Sequence, residues 1–351
     1  MPAITSGKVL VSGANGYVAS WVIRTLLESG YSVRATVRSE SKGVHLRKVF
    51  ASYNDRLELV VVPDITAVGA FDEAVKGVDA IEHTASPFHL KADEPDEIIV
   101  PAVRGTTSML ESALAYGTSV KRVVVTSSCA SILSFDPTPR IYTEKNWNEQ
   151  AIEVVKLNGR NAHPAIKYCA SKTLAERAAW EFMEKNQGKV QWDLVVLNPP
   201  YVYGPILQEV GSPEALNESM REWYEVLFKS TLPVEETCHS PHASNSWLDV
   251  RDLGKAHVLA IQTEAAGGER IIVCSGPWKW QDWSEFFHSA THGAGADIPA
   301  GDTSYDAAKA THLTRYDIAK ANSILGLTYR TMDETTRDIL DDFKEKGWIK
   351  V

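Results

Sequence analysis

Short apolar runs alternate with longer amphipathic stretches through the first two hundred residues. KVLVSG (8–13), YSVRATV (31–37), LELVVVP (57–63), DAIEHTA (79–85), KRVVVTSS (121–128) and DLVVLNP (193–199) are rich in Val and Ile and predict strands. Several lack strict alternation, as strands do when helices cover both faces of a parallel sheet. Between them, amphipathic stretches predict helices near 17–29, 42–52, 70–77, 95–117 and 168–186. The β-α-β-α order predicts an α/β fold built on an open, doubly wound parallel sheet. After Pro199 the texture changes: 200–245 and 275–335 are richer in Trp, His, Pro and Gly and less periodic. WLDVRDLGKAHVLAIQ (247–262) predicts a helix returning to the sheet, and RIIVCSG (270–276) one more strand. We therefore expect a nucleotide-binding domain over 1–199, with 247–276 returning to it. A smaller, discontinuous carboxyl-terminal lobe, 200–246 and 277–351, would cover the carboxyl edge of the sheet, where ligands of such folds bind.

Strand KVLVSG runs directly into GANGYVAS and a helix carrying Val18, Val22, Ile23, Leu26 and Leu27, with Gly30 placed to end it. Gly13 permits a tight turn, Gly16 lets the main chain approach a pyrophosphate, and Ala19 keeps the helix close to the sheet. Asn15, Tyr17 and Val18 complete the loop and the helix start, where amide donors and the positive dipole end favour an anion. A lone Gly-x-x-Gly is weak, but in a strand–turn–helix–strand unit it marks a Rossmann dinucleotide site. An acidic residue about 20 positions on would bind a free ribose 2′-hydroxyl. Here VRATVRSESK puts Arg38 at the strand end and Lys42 at the start of the next helix, groups suited to a 2′-phosphate. The expected cofactor is NADPH/NADP+ rather than NADH. Asp64 and Ile65 close the third strand, where adenine would lie; Thr84, Ala85 and Ser86 close the fourth, beside the nicotinamide ribose. Ordinary strand-end turn chemistry is the competing reading for these five.

Tyr168 and Lys172 stand four apart in KYCASKTLAERAAWEF, on one face of a predicted helix, and Ser128 ends KRVVVTSS. Hydride transfer to a carbonyl carbon leaves charge on oxygen, which then needs a proton donor. A phenol can serve, although its reference pKa of about 10 suits neutral pH poorly. An ammonium about 4 Å away is worth about 4 kcal/mol at an effective dielectric of about 20. Lys172 is therefore expected to outweigh burial, which pushes the phenol the other way. Ser128 would donate to the carbonyl oxygen and orient it. A Tyr-x-x-x-Lys pair alone is weak; the phosphate loop, the strand-end serine and the Tyr/Lys helix in that order make the constellation catalytic: Ser128, Tyr168, Lys172.

The formal net charge of −9 argues against general affinity for nucleic acid or anionic membranes. Four cysteines without a C-x-x-C pair read as free thiols in a reducing cytosol. The amino terminus lacks a secretory pattern, and no run approaches the ~20 apolar residues that span a bilayer, so a cytoplasmic protein is expected. Cys238-His239…His242 and His288…His292 have metal-like spacings without further ligands, and no metal is expected. Trp278, Trp280 and Trp283 are expected to pack the small lobe. Phe88, Leu133, Tyr201, Trp223 and Phe228 are candidate walls of an apolar substrate pocket, with core packing the competing reading. The pattern leaves monomer and homodimer equally open.

These motifs resemble the extended short-chain dehydrogenase/reductase family, in the branch of dihydroflavonol reductases, cinnamoyl-CoA reductases and fungal methylglyoxal and aldehyde reductases. GANGYVAS, VRATVRS, VVVTSSCAS, YCASK, LNPPYVYGP and WLDVRDLGKAH fall in the family's order over nearly the whole chain. The resemblance implies that Ser128, Tyr168 and Lys172 are the catalytic set, that Tyr168 and Lys172 also meet the cofactor, and that Arg38 and Lys42 hold the 2′-phosphate. It further implies that Pro199 through Val202 line the nicotinamide. KYCASK lacks the aromatic-rich lead of the CoA-thioester branch, so a free carbonyl substrate is implied. The expected activity is NADPH-dependent reduction of aldehydes or ketones. Two alternatives are a nucleotide-sugar epimerase or dehydratase of the same fold and a regulator that binds NADPH without turnover. SSCASIL lacks the dehydratase's acidic pair, and a regulator would have no need of Tyr168 and Lys172.

Overall fold

The computed structural model describes residues 4–86, 92–229, 245–291 and 305–349. In chain order the strands are β1 (Lys8–Val11), β2 (Ser32–Val37), β3 (Leu57–Val61), β4 (Ala80–His83), β5 (Arg122–Thr126), β6 (Arg140–Tyr142), β7 (Asp193–Asn198), β8 (Tyr201–Tyr203), β9 (Asn245–Asp249), β10 (Arg270–Ile272), β11 (Gly276–Trp278) and β12 (Thr314–Tyr316). The helices are α1 (Tyr17–Glu28), α2 (Glu40–Val49), α3 (Asp96–Tyr116), α4 (Glu149–Asn158), α5 (Pro164–Lys185), α6 (Glu218–Lys229), α7 (Val250–Gln262), α8 (Trp280–Thr291), α9 (Ala319–Leu325) and α10 (Met332–Glu345).

Seven strands form one parallel sheet in the order β10-β7-β5-β4-β1-β2-β3. The period-two alternation of a strand sends successive side chains to opposite faces. Val9 and Val11 thus enter the larger core with α1 and α7, while Leu10 enters the core under α3 and α5. The doubly wound α/β expectation is met. The strand order reverses between β1 and β4, and a crevice for ligands opens at their carboxyl ends. α1 stops as Gly30 suggested: at φ +92 it follows the cap Ser29, with Gly30 N–H on Leu27 O (3.1 Å) and Tyr31 N–H on Leu26 O (3.0 Å).

Two sequence expectations fail locally. Residues 70–77 form no helix; consecutive turns run between Gly69 and Gly77, both at positive φ, and still bury Phe71, Ala74 and Val75. The helix expected over 247–262 starts only at Val250, because Asp249 caps it by accepting from Arg251 N–H. Trp247–Asp249 instead belong to β9, in a small sheet of order β11-β9-β8. β12 pairs with β6 as a two-stranded parallel ribbon. Trp278, Trp280 and Trp283 are buried, as expected, in an aromatic cluster around Tyr203, Trp223, Trp247 and Phe287.

Candidate active site

The loop after β1 is shaped for close main-chain approach. Gly13 sits at φ +65, and a Cβ there would lie 3.0 Å from Ala85 Cβ, so the loop rests directly on the end of β4. Gly16 is exposed and caps α1 without a side-chain hydrogen bond, and the first turn carries no acidic residue. The N–H groups and dipole end of α1 are thereby left to an anion, which fits a pyrophosphate. Tyr17 departs from the simple reading: its buried hydroxyl donates to Gly204 O at 2.9 Å, leaving its main chain, with that of half-buried Val18, on the loop. Trp21, one turn on, donates from Nε1 to Pro205 O at 2.9 Å.

Arg38 and Lys42 are exposed and take no ion-pair partner among the described residues. Lys42 lines a small pocket with Asn15, His45, Leu46, Gln208 and Glu209, which brings the loop asparagine and the second-helix lysine to one cavity. Asp64 is exposed and turned inward on its own segment. Its Oδ1 accepts from Thr66 N–H and Oγ1, which together with the nearby charge of Arg38 hold the carboxyl below the usual range. Ile65 reaches across to Gly105 on α3.

At the carboxyl end of β4, Thr84 Oγ1 donates to Ser12 O (2.5 Å) and Ala85 N–H to Ser12 Oγ (3.0 Å). Ser86 Oγ then accepts from Lys172 Nζ at 3.1 Å. Ser128 caps a short 3-10 turn beyond β5: Ala130 N–H donates to its Oγ (3.1 Å), and the Oγ faces Pro199 O at 3.4 Å. Ser128 is the polar side chain that acts on the Tyr168 phenol, and Lys172 Nζ lies 5.8 Å from the Tyr168 ring centre. The three residues singled out in the sequence thus meet in one place, joined by Ser86 and Pro199. Val202 is buried in β8, its carbonyl taken by Ser219.

The electrostatics differ from the expectation. Burial pushes the Tyr168 phenol up, against the Ser128 hydrogen bond, and Lys172 does not overcome it. Burial also pushes the Lys172 ammonium down to about 8, with Glu176 opposing. Desolvation dominates because protein encloses much of both groups and the ammonium spends its hydrogen bond on Ser86 rather than on the phenol.

The proposed substrate walls fare unevenly. Phe88 lies outside the described residues. Leu133 is half-buried in a cluster with Cys129, Ile132, Tyr142, Ile272 and Cys274. Tyr201 is half-buried against Tyr203 and Trp278. Trp223 is fully buried among Trp283, Phe287 and Phe343, so it is core rather than wall. Of the metal-like pairs, Cys238, His239, His242 and His292 lie outside the described residues, and His288 Nδ1 bonds its own helix at Ser284 O (2.7 Å).

Sequence reasoning missed three polar neighbours of the site. His83 on β4 is buried with Nδ1 on Ser12 Oγ (3.0 Å), and burial, helped by the charge of Lys172, pushes its imidazole down to about 4. Glu176 and Arg270 pair behind Ser128. Only Glu176 carried a readable signal, its spacing of four from Lys172 on α5.

Residues 9–274 match the model of the NAD dependent epimerase/dehydratase family. The chain is 34% identical over 347 residues to the ketoreductase azaE of Aspergillus niger, spanning 97% of this chain and 98% of that protein. It is 33% identical over 336 residues to the NADPH-dependent methylglyoxal reductase GRE2 of Saccharomyces cerevisiae, spanning 94% and 96%. The crystal structure of yeast methylglyoxal/isovaleraldehyde reductase Gre2 complexed with NADPH superposes with a TM-score of 0.86 at 31% identity, over 97% of this chain and 100% of that one. With the glycine loop at a strand-order reversal and the Ser/Tyr/Lys cluster across the crevice from it, the chain belongs to the NAD dependent epimerase/dehydratase family, the extended short-chain dehydrogenase/reductases, in the branch of the fungal methylglyoxal reductases.

Proposed function

We propose that this protein is an NADPH-dependent reductase of aldehydes and ketones in which Ser128, Tyr168 and Lys172 act on the carbonyl. The observation that carries the reading is the meeting of Ser128, Tyr168 and Lys172, with Ser86, at the carboxyl edge of the sheet. Similarity to reductases named for NADPH and for ketone or aldehyde substrates supports it.

Gly13, Asn15, Gly16 and the main chain of Tyr17 and Val18 would hold the pyrophosphate, and Arg38 with Lys42 the 2′-phosphate. Asp64 and Ile65 would flank adenine; Thr84, Ala85, Ser86, Pro199 and Val202 would flank the nicotinamide side, with Tyr168 and Lys172. Bound NADPH supplies the hydride. Ser128 donates a hydrogen bond to the substrate oxygen and polarises the carbonyl. Tyr168 then gives that oxygen its proton. Burial keeps the phenol protonated at neutral pH, the state a donor must occupy before reduction. The phenolate left behind is countered by Lys172, whose ammonium, brought to about 8, exchanges protons with solvent near neutrality. The transfer is reversible, and in alcohol oxidation the same residue would act as phenolate, taking the proton back.

Leu133 and Tyr201 are the described candidates for substrate contact, with Phe88. The proposed division of labour gives 1–199 and 247–276 to the nucleotide and 200–246 and 277–351 to the substrate. A reducing cytosol is part of the proposal. Cys129, Cys169 and Cys274 are buried and free, and burial pushes the thiols of Cys169 and Cys274 up to about 12, which keeps them unreactive. Among the described residues no helix is long and apolar enough to cross a membrane.

The test is absorbance at 340 nm with NADPH and a panel of aldehydes, ketones, α-dicarbonyls, β-keto esters and a CoA thioester. Decay with a free carbonyl is the expected result. Tight NADPH binding with no decay on any panel member points to a regulator, and interconversion of a nucleotide sugar without net NADPH consumption points to an epimerase.

A further inference from the structure

Glu176 lies one turn past Lys172 on α5, only 2% exposed. Its Oε2 accepts from Ser127 Oγ (2.5 Å), Ser131 Oγ (2.6 Å) and Asn198 Nδ2 (2.8 Å), and its Oε1 from Arg270 Nε. The same groups reach the catalytic turn: Asn198 Nδ2, with its second hydrogen, lies 3.2 Å from the carbonyl oxygen of Ser128, and Ser131 Oγ lies 2.8 Å from it, its one proton shared between that carbonyl and the carboxylate. The carboxylate therefore ties the end of β5, the turn behind Ser128, β7 and β10 to the helix that carries Tyr168 and Lys172. Burying a carboxylate is costly unless it is paired and hydrogen-bonded, and this one is both. Arg270 is committed to the same place: its Nη1 donates to Glu144 O and Asn146 O, each at 2.7 Å, and its plane lies 3.6 Å from the Trp147 ring centre.

Lys172 is 9% exposed, and its hydrogen bond goes to the neutral hydroxyl of Ser86. The titratable groups around the site are Tyr168 on its own helix, His83 from β4, the thiols of Cys129 and Cys169, and the Glu176–Arg270 pair. His83 is uncharged at neutral pH, and the phenol and thiols keep their protons. Of these, Glu176 is the anion that acts on Lys172.

We propose that Glu176 is a positioning residue of the reduction site: its carboxylate fixes the segment that carries Ser128 and supplies negative charge one helical turn from the Lys172 ammonium. This rests on the reductase reading, and turnover by the unaltered enzyme is measured first, so that failure of that reading shows there and not in the variants. Glu176→Gln keeps the shape and removes the charge. It is expected to lower kcat about tenfold or more and to move the alkaline limb of the kcat/KM profile to lower pH by about one unit. NADPH Kd, by fluorescence titration, stays within about threefold. Glu176→Asp keeps the charge on a shorter stem; the limb returns to its original pH while kcat stays reduced. Ser131→Ala keeps every charge and lowers kcat without moving the limb. Should Glu176→Gln not fold, Glu176→Gln with Arg270→Gln removes the pair together, and the limb is read there. An unmoved limb, or one that moves as far in Glu176→Asp or Ser131→Ala, overturns the electrostatic role. Original kcat in both Glu176→Asp and Ser131→Ala overturns the anchoring role.

Discussion

The phenol of Tyr168 is a guarded acid. Burial makes it reluctant to ionise, so its proton leaves only when a stronger base, the nascent alkoxide, forms against it. Tyr168→Phe removes that proton and nothing else of size. We expect kcat to fall about 10²- to 10⁴-fold with NADPH Kd within about twofold, read by 340 nm kinetics and fluorescence titration. Lys172 gives the reaction its alkaline limit. Below about 8 the ammonium is charged and can counter the phenolate; above that it is neutral, so kcat/KM should fall as pH rises through about 8. Arg38 is exposed, and if it holds the 2′-phosphate as proposed, Arg38→Asp should swing the NADPH-to-NADH ratio of kcat/KM by about tenfold or more, a charged hydrogen bond being worth about 1.5–3 kcal/mol. The residues proposed to touch ligand were legible because their spacing is local: two residues between Gly13 and Gly16, a helix turn between Tyr168 and Lys172. The balance of forces on them was not. Arg270 and His83 meet their partners across long stretches of chain, His83 71 residues from Ser12 and Arg270 139 residues from Ser131, and no periodicity announces such meetings.

Among elements, the parallel strands were readable because burial on both faces leaves near-continuous apolar runs. The turns at 70–77 were not, since Phe71, Ala74 and Val75 have helical spacing while Gly69 and Gly77 take positive φ. The short strands β8, β9 and β11 carry aromatic and polar residues in runs of three to five, too brief for a period to register. What stabilises them is aromatic packing. Trp283 is fully buried with ring centres 5.0 Å from Tyr203 and 5.1 Å from Trp247, and its indole N–H has no partner among the described residues. Trp283→Ala should cost about 3–5 kcal/mol, seen as a lower denaturation midpoint with unchanged nucleotide specificity.

Across the molecule, the larger core runs without a break from the sheet through α1 and α7 to α8 and α10. Such continuity predicts one thermal transition rather than two, and NADPH at about 100 times its Kd should add about 2.7 kcal/mol to it, raising the single midpoint in a calorimetric scan. A second, unshifted transition would contradict the shared core. The join between early and late parts of the chain is specific. α1 donates to Gly204 O and Pro205 O through Tyr17 and Trp21. The next residue, Ile206, gives its N–H to Asp342 and receives Lys346 Nζ on its carbonyl, both at 3.1 Å and both from the carboxyl-terminal end of the chain. The helix proposed to meet the pyrophosphate is thus splinted from behind, through residues 204–206, by α10 and the turn that follows it. Trimming that tail would slacken the nucleotide's grip without removing a single atom that meets the nucleotide.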